Sequence, residues 1–385
     1  MLRNIDQKQI VQVIYRDTSG CSHYRLRFNS AYFGAREDLG FIPVLMPFPA
    51  TDAQWLNCTK AFVCQRFISE QDYQIVKALK EVQPKFGFKL IYELDDLTWD
   101  HKNAGVPEYN MASFNFKKNA PGIYASLAKI LPLFDEIVAS TEYLAKAFRE
   151  DFNLHNVTVI RNVVPRYLWN CERKMPLTED LKKPTVLLSQ APQHWRNPIP
   201  LGVSPEFPLG VTPMKGDWTD AWIEFVKKNV KEDKINFVCI GALPYFFEDI
   251  ADKIKFIPWK DTVNFPGEVI RTKADFELAP IADNVFNKCK SALRFIESCA
   301  IGAIMLGSDF EDSPYNEIHP ACKIKTDITF DELNNRFWNL CKKDNYNSVI
   351  KWQYDHLNAS GGWLESDKHI NQWLSMIDGT NNSKI

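Results

Sequence analysis

Short apolar segments typical of buried β-strands alternate with segments of helical periodicity along most of the chain. In the first half the strand-like segments are Gln9–Arg16, Phe41–Pro47, Ala61–Phe67, Phe88–Leu94, Glu136–Ser140 and Val157–Arg161. In the second half they are Thr185–Ser189, Ile235–Gly241, Ile254–Ile257, Asp275–Ile281 and Ala303–Gly307. Strands that alternate with helices in this way form parallel sheets with helices packed on their faces. The pattern therefore predicts an α/β protein.

A proline-rich segment divides the alternation into two sets. The chain has 385 residues, which is too many for one ordinary hydrophobic core. Residues 164–184 contain three prolines and several charges, as an interdomain connection does. We predict an N-terminal domain over residues 1–163, this linker, a second domain over 185–351 and a helical tail over 352–385.

The composition is that of a globular protein whose charges nearly balance. Charged residues make up 24% of the chain and the net charge is -2. A protein that holds duplex DNA through its overall charge is basic, so any nucleic-acid contact must come from a local patch. The nine cysteines show no zinc-site spacing, which indicates reduced thiols. Because the N-terminus is polar and no apolar stretch reaches about 18 residues, we predict a cytoplasmic protein without a membrane span.

Ligand sites of parallel α/β domains lie at the carboxyl ends of their strands, so we expect the site in a cleft between the two domains. Gly20 follows the first strand and would let a ligand approach the backbone closely. The run Tyr92–Asp100 carries adjacent acids, Asp95 and Asp96, at a strand end. A general base, a metal site and a helix cap with turn chemistry are the alternatives for this acidic pair.

The segment Phe276–Phe310 is predicted to contain a strand, a loop and a helix. Lys290, Arg294 and Glu297 form a polar stripe along that helix at helical spacing. The start of the helix offers backbone N–H groups and positive charge, which suit a diphosphate. Glu297 lies about two turns further on, where its carboxylate could accept hydrogen bonds from ribose hydroxyls. An ordinary amphipathic helix with a solvated polar face would give the same pattern.

The run APIADNVFNKCKSALRFIESCAIGAIMLGS resembles the donor-binding segment of GT-B glycosyltransferases of the retaining family 4 type. The resemblance implies two Rossmann-like domains with parallel sheets facing across a cleft, and C-terminal helices that cross back to the first domain. It also implies that Glu297 binds the nucleotide ribose and that Asn287, Lys290 and Ser291 lie near the phosphates. Such enzymes often carry a second glutamate where this chain has Cys289, which leaves the donor sugar open.

The loop that opens the second domain is similar to a family loop that faces the diphosphate. Arg196 is our candidate for the phosphates because guanidinium groups bind them in a bidentate manner. His194 is a weaker candidate, and Lys215 could fill the same role after a proline- and glycine-rich insertion. The predicted donor is a UDP- or GDP-linked sugar, with Gly20 among its contacts, and neither a cofactor nor a metal ion is required.

The acceptor side is predicted from the first domain. The candidate acceptor contacts are Tyr24, Arg25, Trp99, His101, Lys117 and Lys118. The resemblance implies retention of the anomeric configuration, with Arg196 and the basic residues stabilising the leaving diphosphate. If the enzyme inverts instead, Asp95, Asp96 or His23 must act as the base.

The compact form of the chain resembles phage-encoded GT-B enzymes. This resemblance implies action in the host cytoplasm on a hydroxymethylated pyrimidine in DNA, and aromatic and lysine side chains between residues 98 and 120 suit a flipped base. A saccharide or lipid-linked acceptor is the competing enzyme function. A nucleotide-sugar epimerase and a nucleotide-binding module are alternatives from other classes, because the same frame supports them. The oligomeric state is left open.

Overall fold

The computed structural model describes residues 9–17, 19–110, 113–169, 175–197 and 212–378. Within these residues the chain forms two six-stranded parallel sheets surrounded by helices, which confirms the predicted α/β class. The first sheet contains β1 (Ile10–Ile14), β2 (Ile42–Met46), β3 (Thr59–Gln65), β4 (Lys89–Leu94), β5 (Glu136–Ala139) and β6 (Val157–Val159). The second contains β7 (Thr185–Leu188), β8 (Asn236–Gly241), β9 (Lys255–Pro258), β10 (Phe276–Ala279), β11 (Ile304–Asp309) and β12 (Lys323–Lys325).

Both sheets reverse their strand order once, and the reversal fixes where ligands bind. The first sheet has the order β2-β1-β3-β4-β5-β6 and the second has β12-β11-β10-β7-β8-β9. All the strand pairs are parallel, as the short apolar strands and their helical connections predict. The reversals lie between β1 and β3 and between β7 and β10, and ligand crevices form outside the carboxyl ends of such strands.

Helices connect the strands of each sheet. The α-helices are α1 (Gly20–Ser22), α2 (Phe28–Gly34), α3 (Ala53–Cys58), α4 (Glu70–Phe86), α5 (Ser113–Ile130), α6 (Glu142–Phe152), α7 (Arg166–Trp169), α8 (Asp220–Lys231), α9 (Phe265–Thr272), α10 (Val285–Lys288), α11 (Leu293–Ile301), α12 (Phe330–Leu340), α13 (Lys343–Ala359) and α14 (Asp367–Asp378). A π-helical segment, His23–Arg27, joins α1 to α2. Short 3-10 segments are Glu37–Leu39, His101–Asn103, Leu131–Leu133, Pro192–His194, Tyr245–Lys253 and Pro320–Cys322.

The sequence sets several helix ends through capping side chains. Ser69 and Asp72 form a reciprocal capping box at the start of α4, and the left-handed Gly87 ends that helix. Thr141 follows β5 directly and accepts a hydrogen bond from the N–H of Leu144, so α6 begins at the carboxyl edge of the first sheet. The caps at Ser69 and Thr141 place two helix starts, and the polar side chains beside them, at the carboxyl edge where the two sheets meet.

Two predicted elements differ from the structure. The helix predicted from Asn287 to Ile301 is broken into α10 and α11, because Asn284 caps the short first helix and residues 289–292 leave the helical path. Lys290 and Ser291 therefore lie on the connection between helices, ahead of α11. The region 98–120 is not one loop, since α5 begins at Ser113. The insertion predicted before Lys215 falls mostly on residues 198–211, which lie outside the described part of the chain.

The C-terminal segment crosses back to the first domain, as the resemblance implies. Helix α13 runs through the predicted boundary at residues 351–352 and packs with the core of the second domain. The chain then pairs with the linker, where the N–H of Val164 bonds to the carbonyl of Gly362 at 3.0 Å. Helix α14 buries Ile370, Trp373 and Met376 against the first sheet. No helix among the described residues has the length and apolarity that a membrane crossing requires.

Candidate functional site between the two sheets

The carboxyl ends of the two sheets meet in a cleft that is bridged by side chains from both domains. Hydrogen bonds and an ion pair between described residues cross between the domains at this level, in addition to those of Tyr109 described below. They are Tyr24 Oη to Glu297 Oε1 at 2.6 Å, Asn162 Nδ2 to Ser291 Oγ at 2.8 Å, Thr141 Oγ1 to the carbonyl of Cys289 at 3.0 Å, and Arg161 Nη2 to Glu317 Oε2 at 2.7 Å. The predicted location of the site at the facing strand ends therefore matches the place where the two domains touch.

A buried charge network occupies the second-domain wall of the cleft. Arg294 bonds through Nη1 to Glu297 Oε2 at 2.9 Å and to Ser189 Oγ at 2.7 Å. Its Nε lies 3.6 Å from Glu277 Oε1. Burial raises the pKa of Glu297 to about 6, although Arg294 opposes this shift. Burial also raises the pKa of Glu277, which accepts hydrogen bonds from the hydroxyls of Ser189 and Ser298.

A carboxylate pair lies on the first-domain wall, at the end of β4. Arg66 Nη2 bonds to Asp95 Oδ1 at 2.9 Å and to Asp96 Oδ2 at 3.0 Å. Burial alone would raise the pKa of Asp95, but Arg66, the hydrogen bond from Cys21 and the charge of Arg25 together outweigh burial and lower the pKa. Burial and the neighbouring Asp95 raise the pKa of Asp96, against Arg66 and Lys290. Two adjacent acids with pKa values pushed in opposite directions suit two different roles.

Cys21, Asp95 and Asp96 bring three possible metal ligands within 4.8 Å of one another. The Arg66 guanidinium already bonds both carboxylates and supplies positive charge at this position. Burial raises the pKa of the Cys21 thiol, which keeps the sulfur protonated and makes it a poor metal ligand. The donor set therefore suits an arginine better than a metal ion.

A histidine and a buried aspartate lie beside the end of β7. His194 Nδ1 is 2.5 Å from Asp217 Oδ2, and the Asp217 side chain is 1% exposed. Asp217 Oδ1 also accepts hydrogen bonds from Tyr109 Oη at 2.5 Å and from Asn287 Nδ2 at 2.8 Å. Burial and the charge of Lys290 lower the pKa of His194. Tyr109 belongs to the first domain, so this cluster also spans the cleft.

The predicted donor contacts fall into two groups. Lys290 is close enough to Asp96 and to His194 to lower the pKa of each, so its charge acts on both walls of the cleft. Ser291 is also at the cleft, where it accepts the bond from Asn162 described above. Gly20 lies opposite the second domain, since a Cβ placed there would be 3.9 Å from Thr262 Oγ1. That contact is an ordinary one, so the fold itself does not require glycine at this position.

The four other predicted donor contacts are already engaged within the protein. Asn287 is fully buried and uses its amide for Asp217 and for the carbonyl of Ala282 at 2.9 Å, so it supports the loop and has no free donor for a phosphate. Lys215 pairs with Asp220 at the surface. Arg196 is 8% exposed and its backbone pairs with Met214 in a short antiparallel bridge. Glu297 is at the cleft, but Tyr24 and Arg294 occupy both carboxylate oxygens.

The structure corrects three predicted acceptor contacts. Trp99 is fully buried and donates to Asp151 Oδ2 at 2.5 Å, and His101 Nδ1 lies 2.7 Å from the same oxygen. Both side chains pack in the first domain because the apolar surface of helix α6 covers them. Arg25 is 2% exposed and bonds to Glu93 Oε1 at 2.6 Å, so it is a buried ion pair.

The remaining predicted residues lie on or near the cleft surface. His23 is half-buried, and its pKa is lowered by burial and by Arg27, with Asp261 of the second domain acting in the other direction. Tyr24 is buried against Glu297. Lys117 and Lys118 are exposed on α5, and Lys117 lines a surface groove that also includes Lys102 and Tyr124. These lysines are available to a partner, whereas Trp99 and His101 are not.

The sequence analysis missed several residues of the cleft. These are Arg66, Asp217, Glu277 and the cross-domain hydroxyl of Tyr109. Glu277 had a readable signal, because a charged residue inside the apolar strand Phe276–Ala279 must be paired when that strand is buried. The sequence signal for Asp217 was weaker. It is the preceding Gly216, which takes a positive φ of 65°.

An exposed tryptophan lies beside the end of β9. Trp259 is 57% exposed, and its ring stacks with Phe265 at 6.1 Å between centroids and 26° between planes. A Cβ on Gly241 would lie 2.6 Å from Trp259 Cε3, so the glycine allows the ring to lie against the end of β8. An exposed aromatic face at a strand end suits stacking with a base.

Comparisons with known proteins give the fold. No protein-family model and no curated protein matches the chain. A glycosyltransferase from Rickettsia africae matches with a TM-score of 0.52 and 12% identity, over 98% of this chain and all of that one. Anabaena HepE, solved in complex with UDP-glucose, matches with a TM-score of 0.54 and 10% identity, over 96% of this chain and 99% of that one. The chain therefore has the GT-B glycosyltransferase fold.

Proposed function

We propose that the protein transfers a sugar from a nucleoside-diphosphate sugar to a hydroxyl group of an acceptor. The observation that carries this proposal is the cleft between the two strand-order reversals. Its second-domain wall presents Lys290, the start of α11 and the Glu297 network, and its first-domain wall presents Asp96. The similarity in fold to HepE, which was solved with UDP-glucose, supports a sugar nucleotide as the donor.

The leaving diphosphate requires positive charge on the second-domain wall. Lys290 and the N–H groups at the start of α11 supply that charge close to each other. Arg196 lies on the loop after β7. Together with Lys290 and the N–H groups of α11, it forms the group that we propose for binding the phosphates. The exposed face of Trp259 is the proposed surface for the base, which can be that of a UDP- or a GDP-linked sugar.

Asp96 is the proposed base for the acceptor hydroxyl. Asp95 shares Arg66 with it and has the lower pKa, so Asp95 remains the fixed anion of the pair. The Asp96 side chain is 36% exposed and lies near Lys290, where an acceptor oxygen and the donor would meet. A base at this wall favours inversion of the anomeric configuration, whereas the family resemblance implies retention. NMR assignment of the product anomer distinguishes the two.

A hydroxymethylated pyrimidine in phage DNA is our proposed acceptor. The exposed lysines on α5 and the groove beside them support a polynucleotide held by a few phosphate contacts. A saccharide or lipid-linked acceptor would give the same donor chemistry. An epimerase would convert the donor without an acceptor, and a binding module would leave it unchanged.

One experiment separates these functions. The protein is incubated with a panel of UDP- and GDP-linked sugars, with and without hydroxymethylated DNA, unmodified DNA and oligosaccharides, and the products are followed by mass spectrometry. Sugar added to an acceptor supports the proposed transfer. Conversion of the donor alone would indicate an epimerase, and binding with no conversion in any mixture would indicate a binding module.

We expect Glu297→Ala to weaken the binding of UDP or GDP by about 1–3 kcal/mol, because a carboxylate that accepts ribose hydrogen bonds is lost. Tyr24→Phe is the matched control, since it removes the hydroxyl that occupies Glu297 Oε1. Nucleotide affinity should be kept or increased in Tyr24→Phe. Because the pKa of Glu297 is about 6, wild-type affinity should fall as the pH drops below that value. Calorimetry measures the nucleotide affinity of both variants and the pH dependence of the wild-type affinity. Unchanged affinity in folded Glu297→Ala would contradict the proposed contact between Glu297 and the ribose.

We expect removal of both Lys117 and Lys118 to lower transfer to DNA and to leave donor hydrolysis intact. Two phosphate contacts are lost, so the dependence of DNA binding on salt should also become shallower by about two units of slope. The matched control is Lys182→Ala with Lys183→Ala, an exposed pair that precedes β7 at the far end of the second sheet. Equal transfer to DNA by both double variants would show that the α5 lysines do not hold the acceptor.

A further inference from the structure

The hydrogen bonds around Asp217 determine which nitrogen of His194 carries the proton. Asp217 Oδ1 accepts from the N–H of Ala282 and from Asn287 Nδ2, both at 2.8 Å, and from Tyr109 Oη at 2.5 Å. Three donors converging on one oxygen stabilise the ionised carboxylate, and an ionised carboxylate only accepts hydrogen bonds. The second oxygen, Oδ2, must then accept from His194 Nδ1. The proton of a neutral His194 therefore lies on Nδ1 and a lone pair lies on Nε2.

The backbone holds this pair in one geometry. Gly216 has a φ of 65°, and a Cβ placed there would lie 2.2 Å from the carbonyl oxygen of His194. The N–H of Asp217 bonds to the same carbonyl at 2.8 Å. The neighbouring Trp195 is fully buried and anchors the loop. The imidazole thus has little freedom to turn its Nδ1 toward the cleft.

The free nitrogen of His194 is an acceptor in a region of positive charge. Among the described residues, Nε2 makes no hydrogen bond, and the side chain keeps 14% of its surface exposed. Lys290 contributes more positive charge at this histidine than Arg294, which also contributes. A lone pair repels phosphate oxygens but accepts a hydrogen bond from a hydroxyl group. The cation beside it is then left for the diphosphate.

We propose that His194 binds a hydroxyl group of the donor sugar through Nε2 and does not bind the diphosphate. The inference rests on the proposed function. The ribose and the donor sugar both carry hydroxyls and are both bonded to the diphosphate. Because we propose Glu297 for the ribose, the donor sugar is the hydroxyl-bearing group left for the other side of Lys290 on the second-domain wall. Asp217 and Tyr109 are positioning residues, and Tyr109 links the pair to the first domain. The loop that carries His194 would thereby contact the donor sugar, whereas the family resemblance implied a contact with the diphosphate.

Calorimetry with UDP and UDP-glucose tests this assignment, and GDP and GDP-mannose serve if the wild-type protein prefers guanine. We expect His194→Phe to weaken binding of the nucleotide sugar about fivefold and to leave the nucleoside diphosphate unchanged, as the loss of one hydrogen bond implies. Lys290→Ala is the control and should weaken both ligands equally. An equal loss of both ligands in His194→Phe, or no loss of either, would overturn the inference while the donor function remains.

The pH dependence provides a second readout. Protonation turns Nε2 into a donor, so the ratio of nucleotide-sugar to nucleotide affinity should fall as the pH drops through the pKa of His194, which burial and Lys290 lower. The ratio cancels any effect of Glu297 on the ribose that both ligands share. His194→Gln places a carbonyl acceptor at this position, so it should recover part of the sugar affinity without that pH dependence. A Gln variant as weak as Phe, with an unchanged pH dependence, would overturn the assignment. Wild-type protein that binds no nucleotide at all would overturn the proposed function itself.

Discussion

Replacing Asp96 with asparagine should lower the turnover number by about 10²–10⁴-fold, because general-base catalysis contributes on this scale. Asparagine has nearly the same shape and can still bond to Arg66, so the wall of the cleft is preserved. The affinity for the donor should change little, since the proposed donor contacts lie on the opposite wall. Steady-state kinetics with saturating donor measures both quantities, and the loss should appear in kcat and not in the KM for the donor.

The pH profile gives this prediction a sharper test. Asp96 acts as a base only when it is ionised, so activity should fall as the pH drops through its raised pKa. The negative charge of Asp95 contributes to that raised pKa. Asp95→Asn should therefore move the acidic limb of the profile to lower pH while keeping a measurable rate. Full activity in Asp96→Asn, together with a product that retains the anomeric configuration, would remove Asp96 from the mechanism.

The fold was readable from the sequence because its strands are short apolar runs with turn residues at their ends. Every predicted strand is present, with ends shifted by a few residues. The strand β12 was missed, since Lys323–Lys325 is three residues long and contains two lysines on a sheet edge. The break between α10 and α11 was missed because the apolar periodicity continues through residues 289–292, and only the Asn284 cap marks the first helix.

The sequence indicated where a site would lie, but it did not indicate which side chains contact each other there. The strand-end rule located Asp95, Asp96 and Lys290 near one cleft. It could not show that Arg25 meets Glu93, because those residues are 68 positions apart and an arginine after a strand looks like a surface residue. The prediction that Trp99 contacts the acceptor was wrong for a similar reason, because aromatic residues in a polar stretch occur both in binding loops and in loops packed against the core.

Replacing Arg25 with methionine should destabilise the first domain by about 3–5 kcal/mol, because a charge is left buried without its partner. Glu93 is fully buried, and its Oε1 is 2.6 Å from Arg25 Nε. Arg25 also donates to the carbonyl of Ile160 at 2.6 Å and to Asn162 Oδ1 at 2.9 Å, and these acceptors lose a donor as well. Urea unfolding, followed by hydrogen exchange at the strands of the first sheet, measures the loss in the correct domain.

The sign of the pH effect identifies Glu93 as the cause. Burial raises the pKa of Glu93 and Arg25 opposes that rise, so removing Arg25 raises the pKa further. A carboxyl group whose folded pKa lies above its unfolded value loses stability as the pH rises through the folded pKa. Arg25→Met should therefore be closest to wild type in acid and least stable at high pH.

Two further variants separate the ion pair from packing. The double variant Arg25→Met with Glu93→Leu removes both charges, so it should recover most of the stability and lose the pH dependence. Arg36→Met breaks the exposed pair with Asp38 and should change stability little, because surface pairs are screened by solvent. If the double variant were as unstable as Arg25→Met at every pH, the loss would come from the carbonyl of Ile160 and from Asn162. The Arg25–Glu93 ion pair would then contribute little to the stability of the π-helical segment His23–Arg27.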